Sequence, residues 1–91
     1  MSVTVRVPAQ LRTLTGGAGE LDVPAGTVRD LIGSVEAAHP GIEARLLDEQ
    51  GTLRRFVNVF VAEEDVRYLD GLDTSVPDGT TVSIVPAVAG G

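Results

Sequence analysis

The 91-residue chain contains neither cysteine nor lysine. Without a thiol, it cannot form disulfides, ligate an iron–sulfur cluster or catalyse through a thiolate. Because all seven basic residues are arginine, the chain offers no side-chain amine to accept an acyl group from another copy. Its apolar runs fall far short of the roughly 20 residues of a membrane helix, and its first residues are not typical of a signal peptide. We therefore expect a soluble, cytoplasmic protein.

Charge and length restrict the function further. The net charge of −6 disfavours nucleic acid and anionic membranes as partners, because both bind through cations that neutralise phosphates. It favours a partner with a basic patch, and the acids are equally consistent with a merely solvated surface. A chain of 91 residues makes one domain, too small for both a core and a deep substrate pocket. A binding module, a carrier or a subunit is expected rather than an enzyme.

Alternating apolar and polar residues predict strands over 2–7, 19–24 and 80–86. The segment 54–62 is the strongest predicted strand, and it is apolar on both faces, which is typical of the middle of a sheet. A turn at 63–65 and a short edge strand at 66–69 follow it. The inward residues are predicted to be Val3, Val5, Val7, Leu21, Val23, Val57, Val59, Val61, Val82 and Ile84.

A helix is predicted within 24–41. Thr27 can cap its N-terminus, and Asp30 three residues later completes a pattern like a capping box. The residues Pro40 and Gly41 end the helix. One or two further turns are predicted over 42–51. The residues predicted to pack from these helices are Val28, Leu31, Ile32, Val35, Ile42, Leu46 and Leu47.

The predicted order is β-β-α-β-β-β, in which one amphipathic helix covers one face of a mixed sheet. This is an α+β two-layer domain over residues 1–86, with the first and last strands side by side in the centre. Residues 87–91 are predicted to form a flexible tail that ends in the diglycine Gly90-Gly91. The diglycine alone is weak evidence of function, but a strand directly before it makes an idle, frayed end the less favoured alternative.

Three other patterns carry little functional signal. The glycine-rich segment 16–19 lacks the lysine of a P-loop and does not precede a helix, so a hairpin loop is predicted. The acids 63–65 fit a turn better than a metal site. His39 has no cysteine or histidine partner and is interpreted as a helix-end residue. No catalytic residue and no metal site are predicted.

The strand order, the stretches FVNVFVAEEDVR and DGLDTSVPDGTTVSIVPAVAGG, and the chain length resemble the bacterial sulfur carriers of the ubiquitin-like superfamily (MoaD/ThiS). The resemblance covers essentially the whole chain and implies a ubiquitin-like β-grasp fold. It is strongest to the carriers of the cysteine pathway (CysO type), because FVNxxVxxEDVR and PAVAGG both fit that group. The diglycine is shared by the whole superfamily and does not distinguish the pathways.

The resemblance implies a function for the chain end. Gly91 would be adenylated by an ATP-dependent activating and sulfurtransferase enzyme and then converted to a thiocarboxylate. That group would attack an aminoacrylate on a pyridoxal-phosphate-dependent cysteine synthase, and a zinc metalloprotease would release cysteine. The ATP, the pyridoxal phosphate and the zinc would all belong to these partners, so no cofactor is expected on the chain itself.

The tail residues suit this chemistry. The C-terminal carboxylate, with a pKa near ~3.5, is a poor electrophile until it is activated. Residues 87–91, fully extended, span about 17 Å at ~3.4 Å each, enough to reach into a closed active site. The predicted tail that enters the partner's active site comprises Ala87, Val88, Ala89 and Gly90, and its two alanines keep it slim. Phe60, with Phe56 beside it, is the predicted docking surface, and the alternative is that these rings face the core.

Several functions remain open at this point. Within the carrier class, the small subunit of molybdopterin synthase and the thiamine-pathway carrier share the same features. A ubiquitin-like modifier would use the same activated Gly91 to modify lysines of other proteins. A plain interaction domain would use the sheet face and leave the tail idle.

Overall fold

The computed structural model describes residues 2–86. Its strands and α-helices, in chain order, are β1 (Val3–Arg6), β2 (Glu20–Val23), β3 (Gly26–Thr27), α1 (Val28–Ala38), α2 (Ile42–Leu46), β4 (Val57–Val61), β5 (Glu64–Asp65), β6 (Ser75–Val76) and β7 (Thr81–Pro86). Short 3-10 turns lie at Ala9–Leu11, Val66–Tyr68 and Gly71–Asp73. The predicted tail, residues 87–91, lies outside the described residues.

The main sheet is mixed and has five strands in the order β2-β1-β7-β4-β5. β1 and β7 pair in parallel, whereas β2 with β1, β4 with β7 and β5 with β4 pair antiparallel. β3 and β6 form a separate two-stranded ribbon. The predicted adjacency of the first and last strands is confirmed, and β7 occupies the centre of the sheet.

Helix α1 covers one face of the sheet, as predicted. The Thr27 hydroxyl accepts a hydrogen bond from the Asp30 N–H at 3.2 Å, and the Asp30 carboxylate accepts one from the Thr27 N–H at 3.0 Å. This capping box satisfies two of the free N–H groups at the start of the helix. The buried residues of the helix are the predicted stripe of Val28, Leu31, Ile32 and Val35.

One hydrophobic core lies between the helices and the sheet. Of the predicted inward residues, most are buried, and Leu21 and Val61 are partly buried and pack against the core. The second helical segment also packs as expected, with Ile42, Leu46 and Leu47 buried. The alternation of β4 therefore places its valines toward the core, and the alternative with the phenylalanines inward is wrong.

The prediction for residues 63–69 is also wrong in detail. The chain turns at Ala62 and Glu63, and Glu64 and Asp65 form the edge strand β5 instead of a turn. Residues 66–68, predicted as the edge strand, form a 3-10 turn that is capped by the Asp65 side chain. The edge strand is too short for alternation to show in the sequence.

Among residues 2–86, every helix is too short or too polar to cross a lipid bilayer. The same residues contain no cluster of three or more histidine, cysteine or carboxylate side chains arranged to hold a metal ion.

Candidate functional site

The point from which the predicted tail continues is set by the central strand β7. Pro86 lies opposite Val57 of β4, and Val85 lies opposite Asn58. β1 pairs with β7 as far as Ser83, and Ile84–Pro86 pair with β4 alone, so the end of β7 is fixed by strand pairing along one edge. The predicted functional residues Gly91, Gly90, Ala89, Val88 and Ala87 follow Pro86 directly in the sequence and lie outside the described residues.

A tight turn next to this point carries Phe56. The Val57 N–H donates to the carbonyl oxygen of Arg54 at 3.1 Å, which closes a four-residue turn with Phe56 at its third position. Phe56 therefore precedes β4, although it was predicted to lie within that strand. Its ring is 51% exposed, a large fraction for a phenylalanine with no polar group to solvate.

Phe60 lies elsewhere. It projects from β4 onto the face of the sheet that α1 does not cover, with Ser83 as its cross-strand neighbour on one side and Asp65 on the other. Its side chain is half-buried and lines an open groove with Arg6, Ala62, Glu63, Thr81 and Ser83. Phe60 is four positions after Phe56, at most roughly 13 Å of extended chain, and Phe56 lies in the turn before β4, so the two rings are not side by side on the strand as predicted.

Three exposed hydrophobic residues were missed in the sequence: Val85, Tyr68 and Leu69. Val85 is 45% exposed and projects from β7 on the same side of the sheet as Phe60, one residue before Pro86. Because Val82 and Ile84 of the same strand point inward, the alternation of β7 was sufficient to predict that Val85 points outward. Tyr68 is 87% exposed at the end of a 3-10 turn, and no periodic pattern indicates its position.

The guanidinium of Arg67 binds the turn that carries Phe56. Its Nη2 donates to the carbonyl oxygens of Arg54 at 2.7 Å and Arg55 at 3.2 Å. Its Nη1 donates to the Asn58 Oδ1 at 2.7 Å. The acceptors flank Phe56 on both sides in the sequence. We call these three hydrogen bonds the Arg67 clamp.

Three arginines lie at this turn in a chain whose net charge is −6. Arg54, Arg55 and Arg67 are all exposed, and none of them forms an ion pair with a carboxylate in residues 2–86. The ion pairs within that range join Arg6 to Glu20 and Arg29 to Asp73. Hydrogen bonds from Thr52 lower the pKa of the nearby Asp48 carboxyl, and the charge of Arg54 adds a smaller effect in the same direction.

Comparison with known proteins identifies the family of the chain. The sequence model described as the ThiS family matches residues 5–91 of the chain. The chain belongs to the ThiS family. The sulfur carrier protein CysO of Mycobacterium tuberculosis is 46% identical to it over 93 residues, with 100% of both chains covered. The predicted resemblance to the ubiquitin-like sulfur carriers is thereby confirmed.

Solved structures of ThiS-family relatives confirm the β-grasp fold. A chain in the crystal structure of the Amycolatopsis orientalis BexX/CysO complex matches with a TM-score of 0.92 and 50% identity, covering 98% of this chain and 99% of that one. The crystal structure of Mycobacterium tuberculosis CysO matches with a TM-score of 0.90 and 44% identity, covering 94% and 99%. In the first structure a CysO protein is therefore seen with a partner, BexX.

Proposed function

We propose that the chain is a CysO-type sulfur carrier that donates sulfur from a thiocarboxylate at Gly91, for cysteine biosynthesis. The carrier class follows from the full-length similarity to CysO proteins, which includes the stretch up to Gly91. That similarity is the observation on which the proposal rests. The chain is a protein co-substrate of its partner enzymes rather than an enzyme itself.

The chemistry begins at a carboxylate. An adenylating enzyme joins the Gly91 carboxylate to the α-phosphate of ATP, and pyrophosphate leaves. A sulfide-level donor then displaces AMP, so that a C–S bond replaces the C–O bond to phosphate and Gly91 ends in a thiocarboxylate. The thiocarboxylate sulfur is a good nucleophile, and the cysteine synthase supplies the electrophile. Hydrolysis by a metalloprotease releases cysteine and restores the carboxylate.

The described part of the chain supports this use of the tail. The end of β7 is held by its pairing with β4, so the tail starts from a fixed point beside Val57. A reach of about 17 Å lets Gly91 enter a closed active site while the globular part stays outside. Small residues let the last positions pass a narrow channel, and Gly90 and Gly91 can adopt φ values that are barred to other residues.

The docking surface includes Phe56, with Val85 and Phe60 on the uncovered face of the sheet. Phe56 is the more exposed of the two phenylalanines and lies beside the strand pair Val57–Pro86, from which the tail continues. When the partner binds an apolar ring at this place, the tail is directed toward the partner's active site. The exposed Arg55 favours acidic groups on the partner around that ring, whereas the Nε of Arg54 donates to the Ala44 carbonyl.

The intact mass of the protein, purified from its native host under mild conditions, tests the proposal. A fraction heavier by the difference between one sulfur and one oxygen identifies the thiocarboxylate. Supplying that form to candidate acceptors then separates the pathways, because only the true acceptor consumes it. Consumption by a molybdopterin or thiamine enzyme, but not by the cysteine synthase, would replace the proposed pathway.

Two other outcomes would overturn the carrier function as a whole. Isopeptide links from Gly91 to lysines of other proteins, without any thiocarboxylate, would indicate a modifier. Full function after removal of Gly90 and Gly91 would indicate an interaction domain that does not use its tail. On the proposed function, the trimmed chain folds normally and transfers no sulfur.

A further inference from the structure

The Arg67 clamp joins two parts of the chain that are distant in sequence. The guanidinium belongs to the 3-10 turn after β5, and all three of its acceptors belong to the segment 54–58. Two acceptors are backbone carbonyls of a turn and the third is the amide side chain at the start of β4. An arginine is suited to this geometry, because its planar group holds several donors in a fixed arrangement.

Arg67 is itself fixed in place. Its N–H donates to the Asp65 carboxylate at 2.8 Å, and the preceding residue, Val66, is fully buried in the core. The side chain is therefore anchored at its backbone and bonded at its tip, although it is exposed to solvent. An exposed arginine ordinarily keeps many rotamers, and their loss has an entropic cost that these bonds offset.

The turn depends on the clamp more than a buried turn would. Within the turn, the Val57 N–H is the donor to the Arg54 carbonyl, and the same carbonyl accepts from Arg67. The start of the turn is also held from outside, because Arg54 donates from its N–H to the Leu46 carbonyl at 2.9 Å and from its Nε to the Ala44 carbonyl at 3.0 Å. Without Arg67, the Arg55 carbonyl has water in place of its donor, and the middle of the exposed turn is less restrained. Such a turn opens easily, and the ring of Phe56 moves with it.

We infer that Arg67 is a positioning residue for docking: it holds the turn of residues 54–57 so that Phe56 is presented to the partner beside the start of the tail. The inference rests on the proposed function, because it takes the docked protein to be the enzyme that activates Gly91. The clamp restricts the turn before docking, so less conformational entropy is lost when the partner binds.

The first measurement needs no partner. In Arg67→Lys, which keeps the charge but has no forked donors, hydrogen exchange of the Val57 amide becomes about tenfold faster, while exchange in α1 stays as in the wild type. Arg45→Lys is the matched control, because it makes the same substitution at an exposed arginine outside the clamp and leaves exchange at Val57 unchanged. Unchanged exchange in Arg67→Lys would show that the clamp does not hold the turn.

The second measurement is a double-mutant cycle on the affinity for the adenylating enzyme of the native host. Arg67→Lys weakens binding about tenfold in the wild-type background and less than twofold when Phe56 is already alanine. Losses that multiply in the double variant would show that Arg67 acts independently of Phe56, and would overturn the inference. A purely structural role would lower the thermal midpoint without this coupling.

Two further choices in the experiment distinguish a folding defect from a loss of function. Should Arg67→Lys be unfolded at the assay temperature, Asn58→Leu replaces it in the same cycle, because it removes only the Nη1 bond. Failure of the wild-type chain to be adenylated at Gly91 would reject the proposed function. Normal adenylation of the wild type together with wild-type affinity in the clamp variants would reject the inference alone.

Discussion

Val57 lies directly opposite Pro86 in the antiparallel pair of β4 and β7. Val57 is the last residue of the turn that carries Phe56, and Pro86 is the residue directly before the predicted tail. This pairing connects the two halves of the proposed site, a docking ring and a reactive chain end. Because strand pairing fixes the distance between them, a partner that binds the ring receives the tail at a defined place.

The first prediction concerns the width of the tail near its reactive end. In Gly90→Val, a branched side chain stands next to Gly91, and sulfur transfer falls by at least a hundredfold because the end no longer passes the partner's channel. The thermal midpoint stays as in the wild type. Adenylation and sulfur transfer are measured separately by intact mass.

The control for this variant is Ala87→Val, which adds similar bulk four residues from the end. We expect it to lower transfer by less than tenfold, because position 87 directly follows Pro86 in the sequence and is far from the reacting atoms at Gly91. Equal losses in the two variants would show that general bulk in the tail matters, and not its fit at the reacting atoms.

The second prediction ranks the two phenylalanines. Phe56→Ala weakens binding to the adenylating enzyme by about tenfold or more, which is roughly 1.4 kcal/mol, because it removes an exposed ring beside the tail. Phe60→Ala has the smaller effect, because Phe60 is half-buried in a polar groove further along β4. Affinity is measured by calorimetry, and the reverse ranking would move the docking surface to the centre of the uncovered face.

The two phenylalanines also show how far the sequence could predict the site. The alternation of valines in β4 was sufficient to place those valines inward and Phe60 on the opposite face. The same apolar run concealed the turn at Phe56, because a turn without glycine or proline looks like more strand. Arg67 was not predicted at all, since its contacts with residues 54–58 arise only when distant segments meet.

The overall fold was easier to predict from the sequence than the candidate site, because its signals are local. A capping box, a helical stripe and two alternating strands are local patterns, and their order leaves few topologies in which the helix can cover the sheet. The strand β5 was misassigned because it has two residues, fewer than any periodicity needs.

The third prediction concerns the turn between β4 and β5. Ala62 has a φ of 59°, a left-handed conformation that costs a residue with a Cβ about 1–2 kcal/mol. In Ala62→Gly this strain disappears, and the extra backbone entropy of the unfolded chain offsets roughly 0.5–1 kcal/mol of the gain. The free energy of unfolding therefore rises by up to about 1.5 kcal/mol.

The same substitution at Ala37 is its control. Ala37 is an exposed residue of helix α1, where glycine costs about 1 kcal/mol relative to alanine. Urea unfolding should give opposite signs for the two variants. A loss of stability in Ala62→Gly would mean that the turn does not carry the strain that its backbone angle indicates.

The last prediction is a pH dependence of stability at the start of α1. The hydrogen bond from the Thr27 backbone, and secondly that from its side chain, lower the pKa of Asp30 below its ordinary value of 3.8. A carboxyl whose pKa is lower in the folded state stabilises the fold above pH 3.8, and this stabilisation is lost as the pH falls through the folded pKa.

Asp30→Asn removes the charge and keeps one acceptor oxygen. The variant should therefore be less stable than the wild type near neutral pH, and the difference should shrink once the wild-type carboxyl is protonated. Urea midpoints of both proteins at neutral and strongly acidic pH measure this, with Asp78→Asn as a control for the loss of one negative charge. A difference that stays constant across the range would show that the capping carboxylate does not act through its ionisation.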